Sequence, residues 1–244
     1  MLKNFQHRFL DTIWSLGYFG RPEAPQVWIE TRGKEKSNWF SLDTNRDMIA
    51  EIPVPFTKSL QWLAGLEDAG VFLQLRQGKN PGIERIECYN FPSGTLRYSF
   101  ELSQWSQLIG EYLVTNQGIY DLNTGNKTIN EPKLHNELVI ESPSHFEENQ
   151  AEFQAFSTLF EQKFQEKIGK GMDYWEGSNK LIFSYYIYEN AWKNQLRICD
   201  YEFNTLFLET IAEGELMGYH TFQCVQQALI FIKDKRELYI YADL

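Results

Sequence analysis

The histidines and cysteines are the side chains of this sequence best suited to metal binding or nucleophilic chemistry. The four histidines are far apart along the chain, and no two of them lie within nine residues of each other: His7, His135, His145 and His220. Zinc sites built on one element use closely spaced pairs such as H-E-x-x-H, which the sequence lacks. The three cysteines form no C-x-x-C pair. The sequence therefore predicts no metal site.

Motifs for chemistry on acyl or phosphoryl groups are also missing. The chain contains no G-x-S-x-G, no P-loop and no G-x-G-x-x-G. Two acids about 5–10 Å apart would suit glycoside hydrolysis. Because the chain has 33 acidic residues, some will meet that requirement by chance. We predict no catalytic residue and no cofactor, and the acids nearest the starts of predicted inner strands are Glu30, Glu67, Asp68, Glu111, Asp173 and Glu176.

Aromatic side chains are the remaining groups that could bind a ligand, and they make up 16% of the chain. Trp14, Trp62 and Trp105 are separated by 48 and 43 residues. Tryptophans in phase with a repeat usually pack in the core, but a ring of aromatics around a funnel could stack on a sugar or a peptide side chain. Tyr186 belongs to a tyrosine-rich strand of which at least one ring should face solvent. We take these four residues as the candidate contacts to a ligand or partner.

Short segments rich in β-branched and aromatic residues cover most of the chain. Turn formers such as Asn80-Pro81-Gly82 and Asn116-Gln117-Gly118 separate them, which is typical of strands joined by tight turns. This spacing predicts an all-β fold rather than alternating strands and helices. The predicted strands are Gln26–Glu30, Val71–Leu75, Arg85–Tyr89, Glu111–Thr115, Lys180–Tyr188, Gln195–Cys199, Thr205–Thr210, Ala228–Lys233 and Glu237–Ala242.

One segment, residues 144–168, has the spacing of a helix. Its phenylalanines recur at steps of three, four and seven residues, which places them on one helical face. Ser144 and Glu147 have the spacing of a capping box, and Gly169 offers a left-handed stop. The sequence therefore predicts one amphipathic helix inserted into a single β domain that spans residues 1–244.

A short pattern recurs along the chain: apolar, aromatic, Asp or Asn, apolar, two variable residues, then Gly or Asn. It describes a strand that ends in a tight turn, where the Asp or Asn side chain caps the turn amides and the last residue takes a positive φ. Some of its steps lie near 40–50 residues, the length of a four-stranded propeller blade. We predict a small β-propeller of about five blades, with a β-sandwich as the alternative. The repeated positions are Asp43, Asn90, Asp121, Asp200 and Asp243.

The best copy of the pattern, residues 120–126, resembles the repeat of quinoprotein-like (PQQ-like) propellers, in which a strand runs into Asp-x-x-Thr-Gly-Lys. Residues 88–98 are similar, with Asn90 in place of the Asp and Tyr98 where such repeats have a Trp. The chain also resembles small bacterial domains of unknown function with partial propeller repeats. The resemblance covers about a third of the chain and implies a propeller fold. Quinone-binding members imply secretion, a calcium site and a vicinal cysteine pair, which the sequence lacks, so we do not expect the quinone.

Charge and cysteine content limit the surroundings of the chain. The net charge of −10 repels nucleic acid and anionic membrane surfaces, so neither is expected as a partner. The basic cluster around Arg32, Lys34 and Lys36 is interrupted by an acid and predicts a solvated turn. Cys88, Cys199 and Cys224 each sit among apolar residues, which predicts buried free thiols. Together with the lack of a visible leader, this predicts a cytoplasmic location.

These observations favour a non-enzymatic module that binds another protein on a propeller scaffold. A carbohydrate-active enzyme or lectin that uses the central funnel is the alternative, and a glycan is then the partner. The strand at Glu237–Tyr241 is expected to pair with N-terminal sequence and close the ring, which would remove exposed strand edges. Oligomeric state is left open by the sequence.

Overall fold

A computed structural model of the chain describes most, though not all, of its residues. The described ranges are 5–21, 24–34, 37–43, 48–52, 60–66, 71–77, 83–90, 95–101, 107–109, 112–115, 117–121, 124–129, 139–215, 218 and 220–242.

The described residues form one helix and 22 strands, which confirms the all-β prediction. Each of the nine strands predicted from the sequence coincides with a strand of the structure. The observed strand covers the predicted range except for at most one residue at an end, and several observed strands are longer than predicted. In chain order the elements are β1 (Phe5–Arg8), β2 (Thr12–Arg21), β3 (Ala24–Arg32), β4 (Ser37–Asp43), β5 (Met48–Ile52), β6 (Leu60–Leu66), β7 (Val71–Gln77), β8 (Ile83–Asn90), β9 (Thr95–Glu101), β10 (Gln107–Ile109), β11 (Tyr112–Thr115), β12 (Gly118–Asp121), β13 (Lys127–Thr128), β14 (Ile140–Glu141), β15 (Ser144–Glu147), α1 (Ala151–Phe164), β16 (Ile168–Glu176), β17 (Leu181–Tyr188), β18 (Trp192–Cys199), β19 (Thr205–Glu213), β20 (Phe222–Val225), β21 (Ala228–Lys233) and β22 (Glu237–Tyr241).

Within the described ranges the strands form five antiparallel sheets. Sheets 1, 2 and 3 follow chain order as β2-β3-β4-β5, β6-β7-β8-β9 and β10-β11-β12-β13. Sheet 4 is β15-β16-β17-β18-β19, and sheet 5 is β14-β20-β21-β22-β1. The contacts divide the chain into two compact units: a first unit of Met1–Leu10 with Ile140–Leu244, and a second unit of Asp11–Val139. The single domain over 1–244 stays a prediction.

The repeated Asp or Asn positions fall at equivalent places in the sheets. Asp43, Asn90 and Asp121 are the last residues of β4, β8 and β12, and Asp200 directly follows β18. In each case this strand is the second-to-last of its sheet in chain order, and the last strand, called the outer strand here, lies at the edge of the sheet. Asp243 lies outside the described residues. The sequence repeat therefore corresponds to a structural repeat, with one copy in each of sheets 1 to 4.

Two of these turns show how the acidic side chain stabilises them. The Asp121 carboxylate accepts a hydrogen bond from the Thr124 amide at 3.0 Å, and Gly125 has a φ of +75°. The Asp200 carboxylate accepts from the amides of Glu202 and Asn204 at 2.9 and 2.8 Å. In the copy of the pattern at residues 198–204 the last residue, Asn204, was expected to take the positive φ; this was wrong, because Phe203 has it, at 64°.

Gly125 is also constrained by an aromatic ring from the neighbouring sheet. A Cβ atom at Gly125 would lie 2.9 Å from ring atoms of Tyr98, which is in β9 of sheet 2. Tyr98 is the residue that the repeat resemblance places at its aromatic position. The turn of sheet 3 and the outer strand of sheet 2 are thus packed so closely that only a glycine fits.

Gly125→Ala should therefore lower the free energy of unfolding by about 2 kcal/mol, because it combines an unfavourable positive φ with a steric clash. Urea unfolding followed by circular dichroism measures the change. In a Tyr98→Ala background the clash is absent, so the same substitution should cost about half as much. Equal costs in both backgrounds would show that Tyr98 does not constrain the glycine.

The predicted pairing of residues 237–241 with N-terminal sequence is confirmed. β1 pairs antiparallel with β22, with Phe5 opposite Ile240 and Arg8 opposite Glu237. Sheet 5 therefore joins the start and the end of the described chain. The edge of β22 that would otherwise be open is covered by β1.

The helix is shorter than the sequence predicted. It begins at Ala151 and ends at Phe164, with Gln165 in the left-handed conformation that Gly169 was expected to adopt. The predicted capping box was wrong, because residues 144–147 form β15 and pair with β16. Phe146 lies seven residues before Phe153, a spacing that fits one helical face, but the backbone around Phe146 pairs with a neighbouring strand. No helix in the described ranges has the length and apolar composition to cross a bilayer.

Sheet 4 separates two hydrophobic cores in the first unit. On one face, Phe153 and Phe160 of α1 pack with Phe183 and Tyr185 of β17. On the other face, residues such as Ile182 and Leu196 pack with Phe222, Leu229 and other residues of sheet 5. The phenylalanine stripe predicted from the sequence is thus the buried face of the helix.

Candidate functional site

The four predicted contact residues lie in different surroundings. Trp14 is in β2 with 61% of its surface exposed, whereas Tyr186 is in β17 and only 4% exposed. Trp62 lies in β6, the first strand of sheet 2, and its side chain is not among those described. Trp105 lies outside the described residues. Of the tyrosines near Tyr186, it is Tyr188 that faces solvent.

Trp14 is exposed at a bulge in the pairing of β2 with β3. Ile13 pairs with Thr31 and Ser15 pairs with Glu30, which leaves Trp14 as an extra residue in β2. Neighbouring side chains of a regular strand point to opposite faces. The bulge instead brings two consecutive residues of β2 against two side chains of β3 that are bonded to each other. Trp14 contacts Arg32, and Ser15 contacts Glu30. β-Bulges often redirect side chains in this way next to binding sites.

The indole of Trp14 is covered on one side by a guanidinium group. The Cζ atom of Arg32 lies 4.1 Å from the ring centroid, a cation–π contact. Arg32 Nε donates to Glu30 Oε1 at 2.5 Å. Glu30 is only 1% exposed and also accepts from the hydroxyls of Ser15 and Ser37, at 3.0 and 3.4 Å. A buried carboxylate thus fixes the arginine, and the arginine fixes an exposed tryptophan.

The sequence prediction of a solvated turn at Arg32 missed this arrangement. Trp14 and Arg32 are 18 positions apart, and the bulge that brings them together has no signature in the sequence. We refer to Trp14, Arg32 and Glu30 as the Trp14 platform.

The first unit contains a buried polar network centred on Asp173, which is 1% exposed. Its Oδ1 lies 2.7 Å from His145 Nδ1 across the β15–β16 pair. Its Oδ2 accepts from the backbone amide and the hydroxyl of Thr221, at 2.7 and 2.8 Å. Charge-assisted hydrogen bonds of this kind are stronger than neutral ones. Asp173 therefore ties sheet 4 to the segment that leads into β20.

The network continues from Thr221 into β17 and β18. The Thr221 hydroxyl lies 2.6 Å from the Ser184 hydroxyl, which donates to Asn194 Oδ1 at 2.8 Å. Tyr186 completes it, since its hydroxyl accepts from Asn194 Nδ2 at 3.2 Å and from the Gly218 amide at 2.6 Å. Burial raises the pKa of Tyr186. Tyr186 thus serves the interior of the first unit in this structure.

The order of these contacts does not match a hydrolytic triad. In such a triad the histidine lies between the acid and the nucleophilic hydroxyl, which it deprotonates. In this network the acid lies in the centre, with His145 on one side and Thr221 on the other. Ser184 is linked to Thr221 and Asn194 and is 1% exposed. The geometry is that of a structural cross-link between strands.

A second buried cluster holds the end of α1 against sheet 4. Arg197 donates from Nη2 to Glu166 Oε1 at 2.6 Å and from Nε to the Tyr185 hydroxyl at 2.9 Å. The Tyr185 hydroxyl donates to Glu166 Oε2 at 2.7 Å. Burial is the main cause that raises the pKa of Tyr185, and the hydrogen bond to the Glu166 carboxylate raises it further. The guanidinium also stacks on Phe164 at 4.0 Å. These contacts stabilise the turn after the helix.

The remaining predicted groups are accounted for as follows. The three cysteines are buried and form no disulfide, as predicted, and burial raises the pKa of Cys88 and Cys199 to about 11 and that of Cys224 to about 12. Of the predicted acids, Glu176 is exposed and accepts from the Tyr174 hydroxyl at 2.7 Å. Glu67, Asp68 and Glu111 lie outside the described residues. The ranges described contain no group of three or more His, Cys, Asp or Glu residues that could hold a metal ion.

No family model matches the sequence, and no curated protein matches it. Among solved structures, a presumptive exported protein of Bacteroides fragilis aligns over 100% of this chain and 94% of its own, with 8% identity and a TM-score of 0.36. The Dos1 propeller aligns over 97% of this chain and 54% of its own, with 9% identity and a TM-score of 0.27. Both TM-scores are too low for these likenesses to support an argument about this chain.

Proposed function

We propose that the chain is a non-enzymatic module that binds a partner protein, and that the Trp14 platform is its anchoring contact. The observation that carries the proposal is the exposure of a tryptophan whose position is fixed. Trp14 is 61% exposed, while the arginine stacked on it is held by a carboxylate that is 1% exposed. Tryptophan and arginine are the residue types most enriched at the energetic centres of protein interfaces.

The fixed geometry matters for affinity. A flexible side chain loses conformational entropy when it is immobilised by a partner, at a cost of about 0.5–1.5 kcal/mol each. In the Trp14 platform the arginine is already ordered by Glu30, and the indole by Arg32. Most of this conformational entropy is therefore already lost when the chain folds and is not lost again on binding, which favours a role in binding.

We propose a five-bladed propeller as the scaffold. Its support is the set of five antiparallel sheets, the repeated turn before the outer strand in sheets 1 to 4, and the pairing of β1 with β22 in sheet 5. Such regularity favours a propeller over a β-sandwich, in which sheets face each other in two layers. Propellers commonly present ligand-binding residues on a rigid framework, and this framework would hold the platform.

The test compares two exposed residues of the second unit. A partner captured on the immobilised protein is identified and its Kd is measured by calorimetry. Trp14→Ala should weaken binding at least tenfold, which corresponds to about 1.4 kcal/mol. Met48→Ala is the matched control, because Met48 is also large, apolar and exposed, and its change should stay within threefold. Equal affinities for wild type and Trp14→Ala would contradict the platform as the anchor.

A lectin or carbohydrate-active enzyme is the second candidate, because an exposed indole face also stacks on the C–H face of a sugar. A glycan array read with wild type and Trp14→Ala separates the two. Trp14-dependent glycan binding in the absence of a protein partner would favour the lectin.

A further inference from the structure

The strand β1 belongs to one compact unit while the chain directly after it belongs to the other. Met1–Leu10 is grouped with residues 140–244, and Asp11 begins the second unit. The boundary residue Leu10 is 94% exposed, so its side chain does not anchor the crossing point. A strand with this connection can be exchanged between two copies by a change of backbone direction at Leu10–Asp11.

The contacts of β1 with the β21–β22 hairpin are numerous for four residues. Residues 5–8 pair with 240–237 in register, and the Phe9 amide donates to the Arg236 carbonyl at 2.9 Å. Gln6 Nε2 donates to the Tyr239 hydroxyl at 2.6 Å, and Arg8 forms an ion pair with Glu237 at 3.3 Å. These contacts depend on the sequence of β1 and on its strand direction. They do not depend on which chain supplies the strand.

The acceptor for β1 is a well-packed sheet edge. β22 lies between β1 and β21, and its Leu238 and Ile240 are buried. Without β1, the outer backbone groups of β22 would be unpaired, which is a feature that attracts another strand. The residue pattern that fits is an extended segment with Phe, His and Phe at alternate positions, as in Phe5, His7 and Phe9.

We propose that the edge of β22 is a strand-docking site for β1 of a second copy, so that two chains form a dimer by exchanging their β1 strands. Each copy then keeps the same pairing in sheet 5, and the difference from the monomer is confined to the crossing at Leu10–Asp11. Within one chain the strand has an effective concentration on the order of millimolar, so the monomer predominates when the protein is dilute. Exchange requires β1 to detach, and it should therefore be promoted by refolding at high concentration.

The test uses cysteines at one cross-strand position, Arg8 opposite Glu237. One chain carries only Arg8→Cys and the other only Glu237→Cys. The two are mixed, unfolded, refolded together under reducing conditions and then oxidised, when the three native cysteines are buried. A disulfide between the two chains can form at this position only if β1 of one copy lies on β22 of the other. The double variant in one chain shows whether the pair closes within a monomer.

The matched control places the cysteines at Ser41 and Ala50, which are opposite each other in β4 and β5 of sheet 1. Both strands belong to the second unit, and the boundary between the units does not separate them from the rest of their sheet. We expect mixed disulfide dimers for the Arg8→Cys and Glu237→Cys pair, at least fivefold more than for the control, increasing with the concentration during refolding.

Three results would overturn the proposal. The first is a double variant that closes within the chain while the mixed pair gives no more dimer than the control at any concentration. The second is independent of the cysteines: wild-type protein refolded at about millimolar concentration that sediments only as a monomer. Dimers that form equally from native protein without refolding, and are not cross-linked at this position, would also contradict strand exchange.

Discussion

Removal of residues 237–244 should abolish cooperative unfolding of the first unit. The deletion takes away β22, which lies inside sheet 5 between β1 and β21. Leu238 and Ile240 are lost from the interior, together with the rings of Tyr239 and Tyr241 that stack with Phe231 at 4.9 and 5.7 Å. β1 loses the strand that it pairs with, and β21 keeps only its pairing with β20. The net free energy of unfolding of a domain is only about 5–15 kcal/mol. We expect the loss of these buried side chains and strand pairings to exceed the free energy of unfolding of the first unit.

Differential scanning calorimetry and near-ultraviolet circular dichroism measure this effect. The truncated chain should lack the transition assigned to the first unit, and its aromatic signal should be reduced. The matched control keeps the strand and removes one ion pair, as Glu237→Gln, which should change the melting temperature by only a few degrees. A truncated chain that melts like the wild type would show that β22 is dispensable, and ring closure as proposed would be wrong.

Replacement of Asp173 by alanine should destabilise the first unit by about 3 kcal/mol or more. The buried carboxylate accepts from the Thr221 amide and hydroxyl and contacts His145, and these partner groups are partly buried. The substitution leaves these groups without their acceptor, and each buried unsatisfied group costs about 1–3 kcal/mol. Asp173→Asn should cost less, because its amide oxygen can still accept from Thr221.

Guanidinium unfolding of the three proteins gives the comparison. The matched control is Glu176→Ala, three residues further along β16, where the carboxylate is exposed and the change should stay within about 0.5 kcal/mol. A chain with Asp173→Ala that unfolds at the wild-type denaturant concentration would show that the network is not a structural cross-link. Its hydroxyls would then have to be reconsidered as functional groups.

The features that the sequence predicted are those set by local chemistry. The strand positions follow from β-branched and aromatic runs between turn formers, and the repeated Asp or Asn marks the end of the second-to-last strand in sheets 1 to 4. An Asp that caps its own turn amides does so in any tertiary context, as at Asp121 and Asp200. The pairing of residues 237–241 with N-terminal sequence was also predictable, because it removes exposed strand edges.

The features that the sequence missed depend on tertiary pairing. Residues 144–147 could form either a helical turn or a strand, and the neighbouring β16 decided for the strand. Tyrosine is a residue type often found in binding surfaces, but the Tyr186 hydroxyl bonds to Asn194 and Gly218 in the interior. Trp14 was a candidate because of its type and its spacing. Its partner Arg32 was not, since a single-residue bulge in β2 brings them together.

The pairing of β1 with β22 also sets an order in time. Gln6 and Glu237 are 231 positions apart, and they hydrogen-bond at 3.1 Å. During synthesis at about 5–20 residues per second, β1 emerges long before the strand that it pairs with exists. The second unit, whose sheets follow chain order, can fold in the meantime, whereas Phe5 and Phe9 remain unburied until sheet 5 is made. A chaperone that binds short apolar segments would thus find its target in β1 until β22 has been synthesised.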